Sequence, residues 1–168
     1  MNSNRATFLR SAMGICKKVL LWISIPLAAW YISANWYQLM LIQGRSMEPA
    51  YKNLQIVLLD KHTESYTRGQ AVAFSCEGLS SVLVKRIVAV PGDRAQIREG
   101  TLYINGAVSQ VYPQEGMFEF SGILQEEIQL EAMQYLVIGD NVEESIDSRY
   151  PEVGILSQDE ILGIVCGS

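Results

Sequence analysis

Residues 81–90, SVLVKRIVAV, give the clearest indication of the fold class, and they are followed by Pro91-Gly92-Asp93. The run is rich in β-branched residues, which favour strands. The Pro-Gly-Asp triplet has the turn chemistry that ends a strand. Side chains alternate between the two faces of a strand, so Lys85 and Arg86 point in opposite directions. One of the two charges is therefore predicted to press against apolar surface.

Similar short segments flank this strand on both sides. Strands are predicted over residues 55–59, 70–75, 95–98, 102–104, 135–138 and 160–166. Glu99-Gly100 and Asn105-Gly106 are typical of tight hairpin turns. Residues 126–133 could form one or two helical turns. Residues 43–168 are thus predicted to form a mainly β domain of short strands and tight turns.

The N-terminal part differs from the rest in composition. Residues 19–42 carry no charge, and residues 1–18 contain four basic side chains and no acidic one. A bilayer-spanning helix needs about 20 apolar residues, so 19–42 is predicted as a transmembrane helix with its interfacial end. The basic flank predicts a cytoplasmic segment over residues 1–18 and an exported domain over residues 43–168.

Two other interpretations of the apolar segment compete with this one. A cleaved signal peptide would have a shorter apolar run and small residues before its cleavage site, whereas Ala28-Ala29 is followed by Trp30 and Tyr31. A buried helix of a soluble domain would be kinked by Pro26, a residue that membrane spans tolerate. The transmembrane reading is therefore favoured.

Charge and cysteine usage exclude several classes of function. The net charge of −5 gives the chain no attraction to phosphate backbones, so we expect no nucleic-acid partner. One histidine and three cysteines without paired spacing predict no metal site, and nothing predicts a cofactor. Cys76 and Cys166 would lie on the exported side, where disulfides persist, and whether they pair stays open.

Three polar segments could carry chemistry: GRSMEP at 44–49, Lys85 in its apolar strand, and GDNVEESIDSR at 139–149. A buried lysine has a lowered pKa, and only its neutral amine can take a proton from a serine. Arginine stays protonated and cannot do this. The only histidine, His62, lies in a charged loop and is predicted to be solvated, which disfavours a Ser-His-Asp triad. Taken singly, each segment could also be an ordinary turn or a solvated strand.

In this order, the three segments resemble the bacterial signal peptidase I family of serine–lysine membrane proteases. Ser-Met-x-Pro stands at residues 46–49, the lysine segment runs over 84–88 before Pro91-Gly92-Asp93, and the late motif occupies 139–149. The resemblance covers roughly residues 38–165. It implies a β-barrel catalytic core with one N-terminal transmembrane helix, held in the bacterial inner membrane with the catalytic domain on the periplasmic or extracellular side.

The resemblance also implies a catalytic pair. Ser46 would attack the scissile carbonyl, and Lys85 would take its proton and later return one to the leaving amine. The Ser46 backbone N–H would form part of the oxyanion hole. Some family members have a serine two residues before the nucleophile as a second donor. Gly44 stands there, so a backbone group or another donor must replace it.

Supporting roles fall on the late motif. Ser145 would hydrogen-bond and orient the Lys85 amine. Asp147 and Arg149 would hold the loop as an ion pair, with Asp140 nearby. The motif departs from the family pattern at Glu143-Glu144 and at Tyr150-Pro151, where other residues are usual.

The implied partners are the lipid bilayer and preproteins with small residues before the cleavage site. One alternative is a dedicated peptidase of the same clan that processes pilins or conjugation proteins, which the small size and the altered late loop favour. A second is a membrane-tethered binding module without catalysis. The joint presence of Ser46, Lys85 and Ser145 argues against that module.

Overall fold

The computed structural model describes residues 3–63, 65–113 and 116–167. The chain divides into two compact units, residues 1–37 and 38–168. The first unit is one long helix, α1 (Ser3–Trp36), which contains Pro26. The second unit holds all but the first residue of the strands and is described separately below.

The apolar part of α1 lies at its C-terminal end. The stretch Lys17–Trp36 has 20 residues and a mean hydropathy of 1.3, so its length and composition would allow it to cross a bilayer. Its described side chains, at 17–31 and 33–36, are exposed. The helix ends at Trp36, and residues 37–41, predicted to belong to the interfacial end of the span, form a strand.

The remaining elements are strands, joined by turns and three short 3₁₀ segments. They are β1 (Tyr37–Leu41), β2 (Ile56–Asp60), β3 (Ala71–Cys76), β4 (Ser81–Ala89), β5 (Arg94–Arg98), β6 (Thr101–Ile104), β7 (Ala107–Val108), β8 (Ile128–Gln129), β9 (Gln134–Ile138), β10 (Leu156–Ser157) and β11 (Ile161–Cys166). The predicted mainly β character is confirmed. A seven-stranded sheet has the order β1-β2-β11-β3-β4-β9-β10, and a four-stranded sheet has the order β7-β6-β5-β8.

The hairpins follow the turn residues. Glu99 and Gly100 both have positive φ between β5 and β6, and Asn105 and Gly106 do the same between β6 and β7. A two-residue turn with positive φ at both positions matches the twist of the strands that it joins. The two predicted hairpin turns are therefore confirmed.

Two expectations need correction. The helical turns predicted over 126–133 are wrong: this segment contains β8, which pairs with β5 through Ile128 opposite Ala95. The pairing partner lies some 30 residues away in sequence, and tertiary pairing of this kind overrides local propensity. The strands of the described residues form two sheets with linear strand orders and no closed barrel.

Three clusters of buried apolar side chains form the core of the second unit. The first joins the two sheets, since it contains β5 and β6 residues together with Leu136 and Ile138 of β9. The second packs Met47 and Tyr51 against β2, β3 and β11. The third lies around Val72, Phe74 and Ile87. The second cluster matters most for the site, because it fixes the turn that carries Ser46.

Candidate active site

Ser46 lies in a turn shortly after β1 and is half-buried. The turn is closed by the Glu48 N–H, which donates to the Arg45 carbonyl at 3.1 Å. Met47 is 1% exposed and anchors the turn in the core. From the late loop, the Asn141 N–H donates to the Ser46 carbonyl at 3.0 Å. The backbone at Ser46 is thus held from both sides.

The strand pattern predicts that either Lys85 or Arg86 presses against apolar surface, and the structure shows that Lys85 is the more deeply buried of the two. It lies near the middle of β4, opposite Val72 of β3, and only 3% of it is exposed. Its Nζ donates to Ser46 Oγ at 2.6 Å. Burial lowers the pKa of Lys85 from its ordinary 10.5 to about 8; Asp147 and Asp140 oppose this shift and Arg149 reinforces it. A neutral amine in this position can accept the serine proton.

Asp147 and Arg149 form a buried ion pair, with Arg149 Nε 2.8 Å from Asp147 Oδ1. Asp147 Oδ2 also accepts the Gly139 N–H at 3.1 Å. The Arg149 guanidinium in turn donates to the Val142 and Ser145 carbonyls at 2.8 and 3.2 Å. The pair therefore ties the late loop to the end of β9.

Asp140 has a different partner. Its carboxylate pairs with Arg86, at 2.7 Å from Nε to Oδ1 and 2.5 Å from the second guanidinium nitrogen to Oδ2. The hydroxyl of Tyr112 lies 3.1 Å from Asp140 Oδ1. Asp140 is thus near the Asp147–Arg149 pair in sequence but belongs to a separate ion pair, which is anchored on the residue after Lys85.

Ser145 does not make the bond expected of it. The residue is 2% exposed, and within the described part of the chain its Oγ has no hydrogen-bond partner. The hydroxyl lies against Gly139, where an added Cβ would be 2.3 Å from Ser145 Oγ and 2.6 Å from the Ser46 carbonyl oxygen. The predicted hydrogen bond to Lys85 is therefore not formed in this structure, and the Ser145 hydroxyl instead lies where a side chain at position 139 would be.

A cleft of about 450 Å³ opens beside the Ser46–Lys85 pair. One wall comes from β1, including Leu39 and Leu41, and another from β4 at Val82 and Val84. β1 is an edge strand, and β4 pairs with β9 only from Arg86 onward. Among the described residues, the outer side of β1 and the part of β4 before Arg86 therefore have no second strand partner, and their backbone groups can pair with an extended segment lying in the cleft.

Comparison with known proteins agrees with this geometry. The family model described as signal peptidase, peptidase S26, matches residues 15–166. The chain belongs to the signal peptidase S26 family. It is therefore a serine endopeptidase of the type that removes signal peptides from preproteins.

Individual relatives span most of the chain. Signal peptidase I U of Bacillus subtilis is 32% identical over 154 residues, which are 86% of this chain and 82% of the relative. Signal peptidase IB of Staphylococcus aureus is 29% identical, over 74% of this chain and 73% of the relative. A crystal structure of a signal peptidase I from Enterococcus faecalis aligns with a TM-score of 0.48 and 26% identity, covering 60% of this chain and 96% of that one.

Other candidate groups lie apart from the signal peptidase site. His62 is exposed, as predicted. Cys76 and Cys166 are free thiols, and the register of the sheet explains why: Cys76 stands opposite Ser81 of β4 and Cys166 opposite Leu58 of β2. Over the described ranges, no group of three or more His, Cys, Asp and Glu side chains could hold a metal ion.

Sequence reasoning missed two features of the site. The Arg86–Asp140 pair joins residues 54 positions apart, and each was noted without its partner. Tyr112 had no signal, because one tyrosine in a loop resembles any other until its hydroxyl is seen to reach Asp140. The glycine at 139 was read as part of a motif, and the structure adds the reason that a side chain would collide with both serines.

Proposed function

We propose that this chain is a membrane-anchored signal peptidase that uses Ser46 as nucleophile and Lys85 as general base. The observation that carries the proposal is the 2.6 Å contact between Lys85 Nζ and Ser46 Oγ, made by a lysine that is 3% exposed. Serine is a weak nucleophile until an adjacent base removes its proton. A lysine with a pKa of about 8 is such a base once it is neutral.

The reaction proceeds in two halves. Ser46 Oγ attacks the carbonyl carbon of the scissile peptide while its proton passes to Lys85 Nζ. Lys85 then gives that proton to the leaving amine, and the signal peptide stays bound as an ester of Ser46. Water, activated by the neutral lysine, next hydrolyses the ester and regenerates both groups.

The Ser46 N–H is proposed as one oxyanion donor. The Gly44 N–H already donates to the Asn53 side-chain oxygen at 2.9 Å, so it is committed elsewhere.

The cleft supports a preprotein substrate in extended form. A substrate strand between β1 and β4 would pair with the free backbone groups of both and pass beside Ser46. The apolar side chains of Leu39, Leu41, Val82 and Val84 in its walls favour uncharged side chains before the cleavage site. We assign the same substrate class to this chain as the resemblance implied, namely preproteins with small residues at those positions.

The helix supports a single membrane anchor. The four basic residues at its start, Arg5, Arg10, Lys17 and Lys18, favour a cytoplasmic N-terminus, which leaves the second unit on the exported side. In the second unit, Leu39 of β1 and Ile56 of β2 are 71% and 68% exposed. Apolar side chains at such positions are suited to contact with lipid, so we propose the bilayer as a partner of this edge of the sheet.

The proposal is tested by co-expression with a preprotein that carries an Ala-x-Ala site. Wild type should cleave it, and both Ser46→Ala and Lys85→Ala should reduce cleavage by at least about a thousandfold while still inserting in the membrane. Lys52→Ala, which removes an exposed lysine, is the matched control and should cleave normally. Substantial cleavage by either site variant would contradict the dyad. An intact preprotein with wild type would contradict the substrate class.

A further inference from the structure

Tyr112 connects the four-stranded sheet to the site and has no role in the chemistry described above. It lies in the loop after β7, is 5% exposed, and packs edge-on against Phe118 with ring centroids 5.8 Å apart. Its hydroxyl lies 3.3 Å from the Ile138 carbonyl oxygen and 3.1 Å from Asp140 Oδ1. The hydroxyl therefore reaches out of the apolar cluster to the end of β9.

The Asp140 carboxylate that Tyr112 contacts also binds a second side chain, that of Arg86. Asp140 holds Arg86 by two hydrogen bonds, and a further Arg86 nitrogen donates to the Gly69 carbonyl at 2.6 Å. The Arg86 and Asp140 side chains are 17% and 11% exposed, so water screens this pair only weakly. The orientation of the Asp140 carboxylate is set jointly by Arg86 and by the tyrosine.

Arg86 and Asp140 each lie next to residues that carry or contact the reacting groups. Arg86 is the residue after Lys85 on β4. Asp140 is flanked by Gly139, which lies against the Ser46 carbonyl, and by Asn141, whose N–H donates to that carbonyl. A shift of Asp140 would therefore move the backbone behind Ser46 and the strand that carries Lys85.

We propose that Tyr112 is a positioning residue for peptide cleavage, whose buried hydroxyl fixes the Asp140–Arg86 pair and thereby the spacing of Ser46 and Lys85. The inference rests on the proposed Ser46–Lys85 function. The hydroxyl is a lasting donor, because burial and the neighbouring Asp140 raise the pKa of Tyr112 well above its ordinary value of 10.

The test compares Tyr112→Phe with a matched control, Tyr135→Phe. Tyr135 is also buried, also makes an edge-on aromatic contact, and also has a hydroxyl hydrogen bond, to Gln158 at 3.3 Å. We expect Tyr112→Phe to lower kcat about tenfold with KM within twofold, since small misplacements of reacting groups cost this much or more. Tyr135→Phe should leave kcat within twofold. Equal kcat for the two variants, or a loss confined to KM, would overturn the inference.

A double-mutant cycle separates positioning from general loosening of the fold. If Tyr112 acts through Asp140, adding Tyr112→Phe to Asp140→Asn should reduce kcat by less than about twofold further, although each single variant is impaired. Fully multiplicative losses would contradict the proposal.

Ser46→Ala, run in the same preprotein assay with the full-length chain, identifies which claim fails. Residual cleavage there would contradict the proposed function. Loss in Ser46→Ala together with unchanged Tyr112→Phe contradicts the positioning role alone.

Discussion

Lys85 and Arg149 are both buried cations in the same site, and their surroundings are opposite. Arg149 is 2% exposed, and its guanidinium donates to five acceptors, three carbonyls and both oxygens of Asp147. Lys85 is 3% exposed, and among the described residues its amine has one acceptor, the Ser46 hydroxyl. One cation is stabilised as an ion, whereas the other is left under-solvated.

The difference shows how a fold can assign separate roles to two like charges. Arginine keeps its proton in proteins and presents a planar fork of donors, which suits it to a permanent structural ion pair. Lysine releases its proton when burial is not matched by acceptors. The surroundings of Arg149 make the late loop rigid, and those of Lys85 make the amine available as a base.

The largest effect should come from making the two cations alike. Lys85→Arg keeps the charge but removes the ability to become neutral, so we expect cleavage to fall at least about a thousandfold. Preprotein cleavage by the full-length enzyme measures this, with Lys52→Arg as the exposed control. Activity within tenfold of wild type would show that position 85 does not act as a base.

The next effect concerns the stability of the late loop. Arg149→Met leaves the buried Asp147 without its partner, and breaking a buried pair in this way costs about 3–5 kcal/mol. Chemical unfolding of the detergent-solubilised protein measures the change. Arg45→Met removes only the exposed pairs with Glu48 and Glu144, which water screens, so the free energy of unfolding should stay almost unchanged. Similar losses for the two variants would contradict the contrast between buried and exposed arginine.

The sequence alone predicted individual strands and turns, because these depend on residues that are close together in the chain. The β4 run, the two hairpin turns and the burial of one of the two neighbouring charges at positions 85 and 86 follow from alternation and turn chemistry. The prediction of helical turns over 126–133 was wrong because the pairing of β8 with β5 is non-local. Where propensity and long-range pairing disagree, the pairing decides.

Only part of the candidate site could be predicted from the sequence. Residues 46 and 85 are 39 positions apart, and no periodicity joins them; the resemblance to a family suggested the pair, and the structure supplies the distance. The hydrogen bond expected from Ser145 is not formed among the described residues, and its hydroxyl lies against Gly139. Which group a side-chain hydroxyl contacts depends on how closely backbone segments approach each other in the fold, and a sequence motif does not give that distance.

A third prediction concerns the free energy of unfolding and tests whether burial of the Lys85 charge destabilises the folded state. The folded-state pKa of about 8 lies below the ordinary 10.5, so the native state resists the lysine charge at neutral pH. That cost is full below pH 8 and is relieved as pH rises from 8 to 10.5, because stability rises wherever the unfolded state binds more protons. Lys85→Met should therefore raise the free energy of unfolding by about 1–3 kcal/mol at pH 7.

The check on this prediction is the pH dependence of the gain. Unfolding of wild type and Lys85→Met is compared at pH 7 and near pH 10, where the advantage of methionine should shrink. If Lys85→Met raises the free energy of unfolding equally at the two pH values, the stabilisation comes from packing and not from removal of the charge. If the variant is less stable than wild type at pH 7, burial of the lysine charge is not unfavourable and the prediction is contradicted.

The smallest effect is the pH profile of cleavage, and it distinguishes Lys85 from every other candidate base. Only neutral Lys85 can take the Ser46 proton, so the single-turnover rate should rise about tenfold per pH unit below a midpoint near 8 and level off above it. Tyr112, whose pKa is raised, stays neutral. His62→Ala removes the one histidine of the chain and should leave the midpoint unchanged. A midpoint that moves with His62, or a rate that is flat from pH 6 to about pH 9, would contradict Lys85 as the base.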